Sequence, residues 1–326
     1  MNRWCFVYGI LSILVCLSAG NASRVPHSSS MPDDGICIHA TWNPNGVTVA
    51  GGNGQGSALN QLDRPWGLFV DDDANVYVAD PFNGRVVKWA PEVSSGQLVA
   101  GGKGRGNHSD QLNAVSSIVA DNDGTMFICD YRNKRVQRWF KNDDHGQTII
   151  QNILGWGLAM DDEGSLYVSD HENDRVLKWS DDQVVAGGNG RGAALDQFSS
   201  PDHLFVNRYQ TVFVADDVNN RVMKWPVGAK EGIVVAGGNG QGDGVNQLHG
   251  PVSVIVDQSD TVYVADWGNH RIMRWFKGSK SGSIIVGGRG QGNGTAQLSQ
   301  PFDLAFDRDG NLYVVDTADR FLSISI

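Results

Sequence analysis

Cysteine is scarce in this chain of 326 residues, which holds only four: Cys5, Cys16, Cys37 and Cys129. Two of them lie in an apolar leader, and the remaining pair is too few for a disulfide-stapled framework. Long hydrophobic runs are missing as well. The single candidate, Phe6 to Leu17, spans 12 residues, short of the roughly 20 that a membrane helix needs. Basic charge is in deficit, with 26 Lys and Arg against 36 Asp and Glu and a formal net charge of -10. Such a surface repels a phosphate backbone unless its cations gather on one face, so nucleic acid is not an expected partner. No glycine loop in the chain ends in the Gly-Lys-Ser/Thr that meets nucleotide phosphates and their metal, which argues against a phosphate cradle.

The leader has the anatomy of an export signal. Arg3 supplies a short positive segment, the apolar run follows, and small residues at Ser18, Ala19, Gly20 and Ala22 offer cleavage points. Residues 1–22 are expected to be a signal peptide and 23–46 a linker. The mature chain is then secreted, without a stable membrane span; an uncleaved signal anchor is the alternative. Asn-x-Ser/Thr acceptors at Asn107 and Asn293 stand in loop-like glycine stretches, as glycosylation of an exported chain requires. Cys37 and Cys129 could pair in an oxidising compartment, yet Cys129 lies within an apolar strand where a buried thiol is equally natural.

What the chain has in excess is glycine, 41 residues of it. VAGGNGQG at Val49 returns as VAGGKGRG at Val99, VAGGNGRG at Val185, VAGGNGQG at Val235 and IVGGRGQG at Ile285. A second run recurs in step: VYVAD ending at Asp80, MFICD at Asp130, LYVSD at Asp170, VFVAD at Asp216, VYVAD at Asp266 and LYVVD at Asp316. The intervals are 50, 40, 46, 50 and 50 residues. Periods of that size belong to propeller blades or helical arrays, and the aromatic and β-branched content selects blades. Five residues after the aspartate comes Arg85, Arg135, Arg175, Arg221 or Arg271, and nine after it Trp89, Trp139, Trp179, Trp225 or Trp275.

Four strands per unit follow, most of them continuous apolar runs, as expected where neighbouring blades cover both faces of a sheet. The 40-residue interval lacks its glycine loop, with QNILGWGLAM in its place; a deletion costs least in a loop. The last unit has no fourth strand, while VTVAGG at 47–52 is a fourth strand with no blade before it. The economical solution is that the N-terminal strand completes the last blade and removes the open edges. The expected fold is all-β, a six-bladed propeller over residues 47–326.

These registers resemble the NHL repeat. DPFNGRVVKW, DYRNKRVQRW, DHENDRVLKW, DDVNNRVMKW and DWGNHRIMRW carry the likeness in five units, and it extends over about residues 47 to 326. The sixth departs, since DTADRF brings Arg320 one residue early and puts Asp319 where Asn is usual. The resemblance implies the propeller fold. It does not single out a task, because one fold hosts many.

Asp80, Asp130, Asp170, Asp216, Asp266 and Asp316, with their five arginines, recur too regularly to be one catalytic constellation and read as blade-locking pairs. Function is expected where the repeat is broken, on the face formed by the loops after these aspartates and the entrances to the innermost strands. Trp66, Trp156, His171, His203, Trp267, Phe302 and Asp303 are the candidate ligand-binding residues there. His171, His203 and Asp303 would hold a divalent metal only if they converged; no cofactor and no catalytic residue is assigned. The missing glycine loop beside Trp156 predicts a notch in the rim. The expected function is secreted, non-enzymatic binding of a protein, peptide or glycan. One alternative is a metal-dependent enzyme resembling the peptidyl-hydroxyglycine amidating lyases, which share the fold and hold zinc with three histidines. The other is the NHL domain of ubiquitin-ligase-type regulators, for which the residues before 47 offer no RING or B-box.

Overall fold

The computed structural model describes residues 42–43, 46–179, 183–292, 294, 296–317 and 320–324. The leader, Cys37 and Asn293 lie outside them. The described residues form six four-stranded antiparallel sheets, each a meander. In the first, β2 (Leu68–Val70), β3 (Val76–Asp80), β4 (Arg85–Trp89) and β5 (Gln97–Gly101) pair in order. The second holds β6 (Val115–Ala120), β7 (Met126–Asp130), β8 (Arg135–Trp139) and β9 (Gln147–Gln151). The third holds β10 (Gly155–Met160), β11 (Leu166–Asp170), β12 (Arg175–Lys178) and β13 (Gln183–Gly187). The fourth is β14 (Pro201–Val206), β15 (Val212–Asp216), β16 (Arg221–Trp225) and β17 (Ile233–Gly237). The fifth is β18 (Pro251–Val256), β19 (Val262–Asp266), β20 (Arg271–Trp275) and β21 (Ser283–Gly287).

The sixth sheet joins both ends of the described chain. β22 (Pro301–Phe306), β23 (Leu312–Asp316) and β24 (Arg320–Ile324) are completed by β1 (Val47–Gly51), with Val47 opposite Ser323 and Gly51 opposite Arg320. First strands of successive sheets pack side by side, and β22 packs back against β2, so they surround a central channel. The architecture is a β-propeller. Beyond strands, the described residues hold two single 3-10 turns, Tyr131–Asn133 and Trp267–Asn269. No helix among them is long and apolar enough to cross a membrane.

Burial follows distance from the channel. The second strands β3, β11, β15, β19 and β23 are buried along their whole length. The outermost strands β5, β13 and β17 are mostly open to solvent, which corrects the reading of continuous apolar runs as doubly covered: sheets diverge outward, and the rim strand loses its neighbours. Trp89, Trp139, Trp225 and Trp275 lie in the inter-sheet core at 1–3% exposure, each costing about 3–5 kcal/mol if cut to alanine. Trp179 departs and is only half-buried. Cys129 is a free, fully buried thiol whose ionisation burial opposes strongly.

The repeated acids have two jobs. At the turn after each first strand, Asp71, Asp121, Asp161, Asn207, Asp257 or Asp307 accepts through Oδ1 the N–H groups two and four residues on, an Asx turn that tightens the hairpin. At the end of the second strand, Asp80 is fully buried and its Oδ2 accepts Arg85 Nε at 2.7 Å. The Arg85 guanidinium then donates to the carbonyls of Ser57, Ala58 and Gln61 at 2.6–3.0 Å, and Asp80 Oδ1 accepts the Asp63 N–H. Asn83 bridges Gly56 O and Asp80 Oδ2. Burial pushes the Asp80 carboxyl up, against the pull of Asn83 and Arg85.

The repeated glycine loop is therefore held by a lock in the sheet it leads into, and among the described residues no helix follows it. Gly101 shows why glycine is required. Its φ is +69°, and a Cβ there would stand 2.4 Å from Gly84 O.

Candidate functional site

The loops after the second strands and the entrances to the first strands meet at one end of the channel. Three partly buried aromatics from sheets one, three and six converge there. Trp66 stacks on Trp156 at 5.4 Å and on Phe302 at 5.9 Å between ring centres, with Trp156 and Phe302 6.1 Å apart. Phe82 meets Trp66 edge-on at 5.8 Å, Tyr131 meets Trp156 edge-on at 4.8 Å, and His171 lies over Trp156 at 5.4 Å. A cavity of about 110 Å³ is lined by first strands of all six sheets, Leu68, Ile118, Leu158, Leu204, Val254 and Leu304 among them.

Polar groups lie beside the rings. His203 Nδ1 stands 2.9 Å from Asp303 Oδ1. That carboxylate also accepts Ser253 Oγ and the N–H groups of Leu304 and Leu68, all at 2.8–2.9 Å, so one buried acid ties sheets one, four, five and six. Burial pulls His203 down, but Asp303 and then Asp202 outweigh it and hold the imidazole above its ordinary value. Its Nε2 is buried and has no hydrogen-bond partner among the described residues.

Asp202, beside it, is 4% exposed, with Oδ1 3.3 Å from His171 Nδ1 but without hydrogen-bond alignment. Burial raises the Asp202 carboxyl against the pull of His171. Asp217 completes the group: burial first, and then the Asp202 charge, push it up to about 7.

Six of the seven sequence candidates thus share one region: Trp66, Trp156, Phe302 and His171 in the ring cluster, His203 and Asp303 beside it. Trp267 does not join them. It packs on the core between sheets five and six, with its ring beside Gly250, next to Asp217. The metal reading of His171, His203 and Asp303 is also corrected. His171 faces Asp202 while His203 faces Asp303, and among the described residues no group of three or more His, Cys, Asp or Glu is arranged to hold a metal ion. The three-histidine zinc set of the lyase alternative does not fit these residues. Asp202, Asp217 and Tyr131 were not among the sequence candidates, since nothing in the spacing shows that they meet.

The raised Asp217 carboxyl makes a testable statement about stability. Its folded-state value, about 7, exceeds the ordinary 3.8, so the folded state holds a proton that the unfolded state has released. Stability from this group is present at low pH and is lost as pH rises through about 7. Asp217→Asn removes that penalty. Denaturant titration should find the variant more stable than the parent by about 1–2 kcal/mol at pH 8, after discounting for solvent access, and the two equal near pH 4. A constant difference at both pH values would refute the assignment.

Known proteins agree with the fold. An auxiliary nutrient binding protein from Bacteroides thetaiotaomicron superposes with a TM-score of 0.61 at 14% identity, over 92% of this chain and 75% of its own. A structural genomics protein of unknown function from the same organism gives 0.65 at 15% identity, over 86% and 76%. Virginiamycin B lyase from Staphylococcus aureus gives 0.52 at 10% identity, over 82% and 97%. At such identities the likeness is one of fold. No curated protein matches the sequence. The family model of the NHL repeat matches residues 248–274, from Leu248 through β18 and β19 into β20 with Asp266, Asn269 and Arg271. The chain folds as a β-propeller and carries a match to the NHL repeat at residues 248–274.

Proposed function

We propose that this protein is a secreted, non-enzymatic binding module, a closed six-bladed ring over residues 47–326 whose aromatic face takes a peptide or protein partner bearing a cationic group. The signal peptide at 1–22 and glycosylation at Asn107, an exposed residue of the glycine loop, belong to the same reading. The observation that carries it is the meeting of Trp156, Tyr131 and His171 with Asp202 and Asp217. Ring faces beside under-compensated carboxylates suit an ammonium or guanidinium group. Asp202 Oδ1 has no hydrogen bond, and burial and the Asp202 charge hold Asp217 near 7; an incoming cation relieves both.

The test is an array of capped peptides that differ in one central residue, Lys or Arg against Glu or Leu, probed with the purified full chain. Cationic peptides should be retained preferentially, and retention should rise between pH 6 and pH 8 as Asp217 loses its proton. Trp156→Ala should weaken retention about tenfold or more. Equal retention of cationic and acidic peptides, or full binding by Trp156→Ala, would dismiss the reading.

A further inference from the structure

We infer that the third sheet carries a docking notch for the backbone of a glycine-bearing peptide loop supplied by another polypeptide. In sheets one, two, four and five, the lock arginine spreads its guanidinium over three carbonyls of the loop leading into that sheet: Arg85, Arg135, Arg221 and Arg271 each do so at 2.6–3.1 Å. The lock aspartate accepts, on Oδ1, a backbone N–H from the same loop, as Asp80, Asp130, Asp216 and Asp266 do at 2.7–3.0 Å. The lock asparagine adds a bond to a glycine carbonyl in each of those four sheets.

The third sheet keeps the lock and has lost the loop. Arg175 Nε donates to Asp170 Oδ2 at 3.0 Å, and its two terminal nitrogens make no hydrogen bond among the described residues. Its side chain is 35% exposed, against 4–12% for the four arginines that hold a loop. Asn173 keeps only its bond to Asp170. Most telling, Asp170 is 1% exposed and its Oδ1 has no partner, at the position where the other sheets place a loop N–H. A buried acceptor left unpaired is costly. Nothing in the short link from β9 to β10 reaches it, although Ile153, 3% exposed, seals the apolar floor.

The notch therefore offers one buried acceptor, a guanidinium with two free nitrogens and an amide N–H. Its complement is a run of backbone carbonyls and one N–H at fixed spacing. A side-chain ligand satisfies the guanidinium alone, whereas a peptide loop satisfies all three, and close backbone approach favours glycine. The chain's own five loops remain in their own sheets, so the occupant comes from a second polypeptide.

A capped synthetic peptide with the sequence of residues 51–63 serves as the probe, read by amide NMR shifts on the full chain. Saturable shifts confined to residues near 154 and 170–175 are expected, with Arg175→Gln weakening the peptide about tenfold. A variant with the ten residues 102–111 duplicated between Gln151 and Asn152 should fill its own notch and bind no peptide. If that insertion does not fold, Arg175→Gln alone decides. The proposal is overturned by the absence of saturable binding at about 5 mM peptide, by full binding to Arg175→Gln, or by complete displacement with equimolar inorganic phosphate, which would make Arg175 a simple anion site.

Discussion

Replacing Arg271 with methionine is expected to lower the unfolding free energy by about 3–5 kcal/mol, whereas Arg175→Met should cost about 1–2. The two residues occupy the same repeat position and differ in what they hold. Arg271 donates to Asp266 at 2.6 Å and to the carbonyls of Asp243, Gly244 and Gln247 at 2.7–3.1 Å, with its side chain 4% exposed. Its loss strands a fully buried carboxylate and three loop carbonyls together. Arg175, 35% exposed, holds Asp170 alone.

Denaturant unfolding of both variants against the parent measures the contrast. Acidification should narrow the Arg271→Met deficit, because burial already pushes Asp266 up and protonation removes the stranded charge. Equal losses at the two positions would show that the loop contacts contribute nothing.

Removing residues 47–51 is expected to be more damaging still. β1 is the fourth strand of the sixth sheet, and without it β24 becomes an open edge beside the seam of the ring. Ala50, 3% exposed, leaves the cluster that holds Leu62, Trp89 and Tyr313. Lost ladder bonds and lost burial together amount to about 5 kcal/mol or more, and an unpaired edge invites association. Size-exclusion chromatography should show aggregates, and thermal unfolding should broaden and move to lower temperature. The control restores the strand elsewhere: moving residues 47–51, with a short linker, to follow residue 326 should recover a monomer with a sharp transition. A truncated chain that stays monomeric and as stable as the parent would deny the seam its role.

The legible part of the molecule was the repeating part. Strand positions, the pairing of β1 with β24 and the Asp–Arg locks all follow from fixed spacings, because a blade's hydrogen bonds join residues a constant number of positions apart; Arg85 and Arg271 each reach back 24, 27 and 28 residues into their loops. The exposed rim strands were misread, since repetition of a sequence does not reveal how far a sheet stands from its neighbours. The Asx turns escaped notice although their acids also repeat.

The sequence by itself determined that this chain closes into a ring of β-sheets and where that ring departs from its own pattern, since periodicity is a local property of the backbone. Only the tertiary structure decided which departures meet. Asp303 accepts the N–H of Leu68 across 235 positions, and Trp66, Trp156 and Phe302 join from three sheets, while Trp267 packs against the core between sheets five and six. Side-chain direction at the axis depends on the packing of all six sheets at once, and no spacing within one repeat encodes it.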